Sequence, residues 1–371
     1  MWTAHLFQVS TGLIGPKLQW ESMDWSMELN GTESINMRLR KSELPKVDLK
    51  YWLSPWWAGV VVFWGNKPFV AGPIITRPSE SFDFVTIGCG GIRSVLAKRL
   101  VSYEPEGEDF EIKFPTLRIK LEGLSLGTIA KRVVDYSQRK MGGQLPITYA
   151  LADMVGNHER TYNAFNVSNI SGDDVLTKLS NVLGGPDIMF RPRLVRDNLL
   201  TFDMWTGTDG QPRIAQKYSP VWDTTPAKGM VTNMNVIVTG TYQTDRVYAI
   251  GAGQDEGTVI RIATDPAHTN KGYPLLETTI NEGSSENPTV VRDHARAELS
   301  ANNGPLLEVQ MTVRGDTDTP FGTFWPGDLV EVVTKGWLSL PDGSTRMRLL
   351  SLTGDHTNSV KVSLQLEDKF T

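Results

Sequence analysis

Trp325–Val333 reads WPGDLVEVV, and Trp57–Trp64 reads WAGVVVFW. Each stretch places a tryptophan two residues ahead of a glycine and then runs straight into a valine-rich strand. Pro326 pre-sets φ at the second position of a type II turn, and Gly327 can take the positive φ demanded at the third; Gly59 can serve likewise in the earlier stretch. Trp57 and Trp325 can each cover the end of a barrel as the chain turns in. The surroundings repeat in the same order. SINMRLR leads through a loop to WAG, the VVVFW strand, a turn at GNKP, a strand containing PIIT, the polar turn PSES and the strand FDFVTIG. EVQMTVRG leads through a loop to WPG, DLVEVV (which opens on Asp328), a turn containing LPDG, RMRLLSL, the polar turn TGDHTNS and VKVSLQLE. This order predicts an internal duplication of one β-unit.

Strand signals dominate the rest of the chain. Apolar and polar residues alternate in SINMRLR, FEIKF, TLRIKLE, LLTFDMW, VTNMNVIV, EVQMTV and VKVSLQLE. One polar and one apolar face predicts sheets covered on one side, hence antiparallel barrels or sandwiches. Three helices interrupt the pattern. The first follows Ser125 as N-cap and ends at Gly142-Gly143; the second starts at Ser171, with Asp174 three residues on, and stops at Gly184-Gly185; the third has Asn287 as cap and Pro288 at its first position. The fold class expected is mainly β with an α+β insertion. A first antiparallel β-barrel domain spans 1–114, with part of 213–255 available to complete it. An α+β middle domain spans 115–212, and a second β-barrel domain spans 213–371 with one helix near 288–302.

A chain of 371 residues, 40% hydrophobic and 21% charged, can bury more than one core. A formal charge of −5 argues against a surface built to grip phosphates. Cys89 is the only cysteine, which excludes an internal disulfide and a multi-cysteine metal site; it reads as a small buried hydrophobe. The N-terminus MWTAHLFQVS does not read as a signal peptide. The most apolar window, YWLSPWWAGVVVFWG, is shorter than a membrane span and holds Pro55 and Gly59, so no stable membrane insertion is expected.

The strongest catalytic pattern is GLSLG, Gly123–Gly127, which matches the G-x-S-x-G nucleophile elbow between a strand and a helix. A cell-envelope hydrolase would use Ser125 as nucleophile and recruit one of His158, His268, His294 and His356. Against this, the preceding strand alternates charge with hydrophobe, no βαβ repeat surrounds it, and helix capping already accounts for Ser125. His158-Glu159 and the Asp316, Asp318 pair lack a second ligand pair at a metal-binding spacing, so no metal or other cofactor is expected. His294 reads as a structural histidine on a helix face, and GGIR, Gly90–Arg93, as a loop rather than a phosphate loop. A surface glycan binder is a further alternative, because seven tryptophans fall within the first 64 residues.

The two β-units carrying WAGVVVFW and WPGDLVEVV, the α+β stretch Leu117–Trp205 and the ending RMRLLSLTGDHTNSVKVSLQLED together resemble the tail-tip hub proteins of long-tailed bacteriophages. Those proteins are also called minor tail proteins and are similar to the baseplate hub of contractile-tailed phages. The resemblance implies a non-enzymatic virion protein, made and assembled in the host bacterial cytoplasm and located at the tail tip. It implies a homotrimer in which each subunit supplies two tube-like barrels, giving a pseudo-sixfold ring that adapts the hexameric tail tube to a threefold tip. Distal tail or tail-tube proteins would bind above, and fibre, receptor-binding or lysin components below. DNA would pass through the lumen without specific binding, an acidic chain repelling phosphate.

Overall fold

The computed structural model describes residues 1–102, 118–163, 170–182, 184–225, 229–281, 283, 287–316 and 319–366. FEIKF, the first two residues of TLRIKLE, and Asp318 lie outside them. In chain order the elements are β1 (Trp2–Gln8), β2 (Ile14–Leu18), β3 (Ser22–Glu28), β4 (Ser34–Arg40), α1 (Leu49–Trp52), β5 (Ala58–Trp64), β6 (Lys67–Glu80), β7 (Phe84–Gly90) and α2 (Arg93–Leu96). There follow β8 (Arg118–Leu124), α3 (Leu126–Arg139), β9 (Ile147–Tyr149), β10 (Val155–Asn163), α4 (Gly172–Ser180), β11 (Ile188–Arg196), β12 (Leu199–Thr206), β13 (Val221–Asp223) and β14 (Val231–Thr239). The last are β15 (Arg246–Ile250), β16 (Ile260–Thr264), β17 (Glu277–Asn281), α5 (Pro288–Asn302), β18 (Leu306–Arg314), β19 (Leu329–Thr334), β20 (Gly343–Asp355) and β21 (Ser359–Leu366).

One large sheet runs β14-β18-β21-β20-β3-β4-β7-β6-β5-β1-β2, with β19 and then β13 attached beside β20. Within it the antiparallel path β3-β4-β7-β6-β5 is repeated as β14-β18-β21-β20-β19. The repeat extends to register. Cys89 stands opposite both Ile35 and Ile74, and Leu364 opposite both Val309 and Leu349. Each copy then inserts one extra residue at the same place, between Ile74 and Thr76 in β6 and between Leu349 and Ser351 in β20. Ile35, Met37 and Leu39 on β4 match Val309, Met311 and Val313 on β18, and all six are buried. The copies differ at one margin: β5 pairs antiparallel with β1 over seven residues, whereas β19 pairs parallel with the three-residue β13.

The two copies are joined directly. β3 pairs antiparallel with the second half of β20, from Ser351↔Glu28 to Asp355↔Asp24, beyond the end of β19. Their apolar residues form one continuous cluster, in which Trp2 and Trp25 from the first copy pack against Phe321 from the second with ring centroids 5.1 and 6.2 Å apart.

Not every strand has a wet face, contrary to the reading of the sequence. Val60 and Val62 of β5 enter the shared β-core, while Val61 and Phe63 enter a second core with α3, α4, β11 and β12. A strand buried on both sides has no polar positions left, which is why VVVF is continuous. The middle region supplies that second cover through the pair β8–β10 and the sheet β11-β12-β9, whose β9 is parallel to β12. A third, small core (Val247, Ala249, Ala263, Val291, Ala295) is built from the sheet β16-β15-β17 and α5, inserted in sequence between β14 and β18.

Candidate assembly seam and interdomain charge cluster

The WPGD turn feeds β19. The Asp328 N–H donates to the Trp325 carbonyl at 3.0 Å, Gly327 takes φ +98°, and Pro326 precedes it, the features of a type II turn. The Asp328 carboxylate closes the turn by accepting from the Trp325 N–H at 2.8 Å, and the Gly327 N–H donates to Leu349 on β20. The first copy is built differently, which corrects the sequence alignment of the two triplets. Gly59 is not a turn residue: it lies inside β5 opposite Pro73, without positive φ, and a side chain there would meet the Phe7 ring and the Gly72 carbonyl. Its partner in the register of the second copy is Leu329, opposite Arg348, so the triplets are displaced by two residues although the strands match. Trp56, at φ +66°, carries the left-handed conformation before β5, and Trp57 packs on Trp52 at a centroid distance of 5.1 Å.

Behind the WPGD turn lies a buried charge cluster that joins the middle region to the second copy. Asp187, just before β11, pairs with Arg348 of β20; both side chains are less than a tenth exposed. Asp187 also accepts from the Ile214 N–H at 3.3 Å. Arg191 of β11 lies between the rings of Trp205 and Trp325, 5.3 and 5.1 Å from their centroids, a cation–π arrangement that gives Trp325 a role the sequence did not disclose. Its Nη2 is 3.9 Å from Asp328, yet Arg191 Nε and Nη2 and Asp328 Oδ1 make no hydrogen bond. Burial pulls the guanidinium down to about 10, against Asp328 and Asp187. Burial likewise pushes the Asp328 carboxyl up to about 6, against Arg191 and the Trp325 N–H. Desolvation therefore outweighs the mutual attraction of this pair.

A second polar anchor holds the turn between β3 and β4. Arg93, in the GGIR segment read as a loop, is buried in α2 and donates to Asp173 of α4, to the Asn30 carbonyl and to Thr177. The Asn30 side chain accepts from the Ile188 N–H at 2.7 Å. The strand β3 that forms the seam is thus positioned from both the middle region and the first copy.

Ser125 is the N-cap of α3: its oxygen accepts from the Thr128 N–H at 3.2 Å, and its hydroxyl donates to Thr128 Oγ1 at 2.9 Å. His158 does come near this helix start, paired at 3.3 Å with Asp209, whose other oxygen accepts from the Leu126 N–H. Yet the Ser125 hydrogen is directed to Thr128, which passes its own to the Met154 carbonyl, and not to an imidazole base. Replacing Ser125 by alanine should therefore cost about 1 kcal/mol in a denaturant titration, and a serine-reactive phosphonate should leave the folded chain unlabelled. Ser171 and Asn287 cap α4 and α5 through the N–H groups of Asp174 and Thr289.

The remaining candidates are dispersed. His268 pairs with Asp245 in the third core region, His294 lies on α5, and His356 lies in the turn between β20 and β21. Asp316 is bound by Arg314, and burial pushes the Cys89 thiol up to about 12. Among the described residues no three His, Cys, Asp or Glu side chains cluster as metal ligands, and no helix is long and apolar enough to cross a membrane. Of the seven tryptophans in the first 64 residues only Trp56 is exposed, which leaves little aromatic platform for a sugar.

No protein-family model and no curated protein matches the sequence. Solved structures do. The chain superposes along its full length on a 43 kDa tail protein of prophage MuSo2 from Shewanella oneidensis, with TM-score 0.61, 12% identity and all of that chain covered. A tail protein from Neisseria meningitidis MC58 gives TM-score 0.58 at 14% identity, covering 100% of this chain and 98% of that one. A chain of the Francisella PdpA–VgrG complex gives TM-score 0.57 at 8% identity, with 99% of this chain matched to 58% of its length. From β1 to β21 the chain has the fold of these tail proteins.

Proposed function

We propose that the chain is a structural, non-enzymatic component of a bacteriophage or prophage tail, acting as a trimeric tail-tip hub. The observation that carries this reading is the duplicated strand path, repeated down to the position of its bulge, in a chain whose fold is that of tail proteins. Two like units per subunit let three subunits present six similar faces to a hexameric tube while keeping threefold symmetry below. The domain division that serves this role is a β-unit at each end, with the middle α+β unit packed on the first through the second apolar core and clamped to the second by the charge cluster. Ring closure would leave a channel, and a net charge of −5 suits a wall past which DNA slides. Tail-tube protein would be the partner above, and fibre, receptor-binding or lysin proteins the partners below. Light scattering and negative-stain averaging of the purified full chain test the reading. Three copies around a central opening are expected; a strict monomer, even when mixed with the tail-tube protein, overturns it.

A further inference from the structure

We infer that neighbouring copies of this chain join by strand addition, the outer edge of β14 in one copy pairing antiparallel with the second half of β6, Thr76–Glu80, in the next. The inference rests on the ring proposed above and names the junction that would build it. The chain already contains one junction of this kind, β3 on the second half of β20. By the repeated path, β14 is the counterpart of β3, and β6 the counterpart of β20. Each chain therefore holds one complete junction and the two separated halves of another.

Both halves look unfinished in the single chain. β5 covers β6 only over Lys67–Pro73, as β19 covers only the first half of β20; beyond that β6 overshoots, and every residue from Ile75 to Glu80 is exposed. Among the described residues nothing pairs with the outer edge of β14. Register makes Met234, Val236 and Val238 the equivalents of Met23, Trp25 and Met27. Met27 is 1% exposed beneath the seam, whereas Val238 is 52% exposed. An uncovered edge with an apolar face is a template for another strand.

The backbone also points the right way. In the existing seam the Leu29 N–H donates to the Leu350 carbonyl, so alternate residues Leu350 and Leu352 face β3 while Ser351 and Thr353 face β21. Transferred to β6, Ile75 and Arg77 face the incoming strand; beyond them β6 carries a second bulge, between Thr76 and Ser79, that β20 lacks, and Pro78, which has no N–H to give, falls in it. Leu352↔Met27 becomes Arg77↔Val238, less apolar, so the junction between copies is the weaker and more reversible of the two. Acceptor and donor edges are different surfaces, which makes the contact head-to-tail and able to close a ring.

The pair Ser351↔Glu28 becomes Thr76↔Thr239 and falls between hydrogen-bonded pairs, where side chains approach most closely. The test is the full chain carrying both Thr76→Cys and Thr239→Cys, oxidised and run on a non-reducing gel beside each single variant; Cys89 is buried and does not compete. Linked species up to three copies, absent from both single variants, are expected. A three-copy particle in light scattering with no link at this pair overturns the junction and leaves the hub reading standing, whereas a chain that never oligomerises overturns both. Links running beyond three copies support the junction and overturn the closed trimer. Val238→Lys, an exposed change, should convert the particle to monomers without altering the chain's own melting; an intact particle counts against the junction.

Discussion

Arg348→Ala is expected to lower the unfolding free energy by about 3–5 kcal/mol, the usual loss when one member of a buried ion pair is removed and the other stays. The Asp187 side chain is only 6% exposed, and what survives for it, the Ile214 N–H at 3.3 Å and the field of Arg191, is too weak to replace a directly paired guanidinium. The effect should be local before it is global. Asp187 and Arg191 come from the middle region and Asp328 and Arg348 from the second copy, so the variant loosens the clamp between two cores that otherwise remain packed. A urea titration followed by tryptophan fluorescence should show the loss, and limited proteolysis should cut first around Gly207–Pro212, beside the Asp187 contact with the Pro212 carbonyl. A loss under about 1 kcal/mol, as for a solvent-screened pair, would mean that packing alone holds the middle region to the sheet.

That cluster was invisible in the sequence for a physical reason. Its four charged members are spread from Asp187 to Arg348, and the alternation of RMRLLSL assigns Arg346 and Arg348 alike to a polar face. Arg348 is buried only because another region of the chain covers that face. The same cause explains β5: alternation fails in VVVF because two cores meet across it, and the continuous apolar run was itself the available signal. What did carry over was local chemistry. The caps Ser125, Ser171 and Asn287 needed only neighbours within three residues, and β4, β18 and β21 needed only one covered face. The triplet WAG misled because a tryptophan near a glycine marks no register; Trp56, not a glycine, takes the left-handed backbone there. The helix α5 was legible from its Asn287 cap, but its packing with β15–β17 as a unit of its own was not, because the three strands are five residues each and β16 buries only Ala263.

Glu33→Gln should raise stability at pH 8 by about 3 kcal/mol and change it little below pH ~4.5, because burial lifts this carboxyl from 4.5 to about 7. Glu33 lies in the connection from β3 to β4, 8% exposed, with Oε2 unpaired and pressed against Gly91, where any side chain would collide with it. Burial pushes this carboxyl up from 4.5 to about 7, its own backbone N–H and Arg93 pulling the other way. The folded chain thus keeps the proton up to about pH 7, whereas the unfolded chain releases it near 4.5. Between those values unfolding releases a proton, so this group's contribution is fully present below the lower value and is lost as pH rises through the upper one. Asp328 carries the same sign with a smaller displacement, to about 6, so the difference between wild type and Glu33→Gln across pH isolates the Glu33 share. Urea titrations at pH 5, 6, 7 and 8 should give curves that diverge with rising pH; parallel curves would show that Glu33 is ionised in the folded chain. Glu33 and the Arg93 contact to Asn30 frame the turn that aims β3 at β20, so the proton held there bears on the seam through which the two copies of the β-unit are joined.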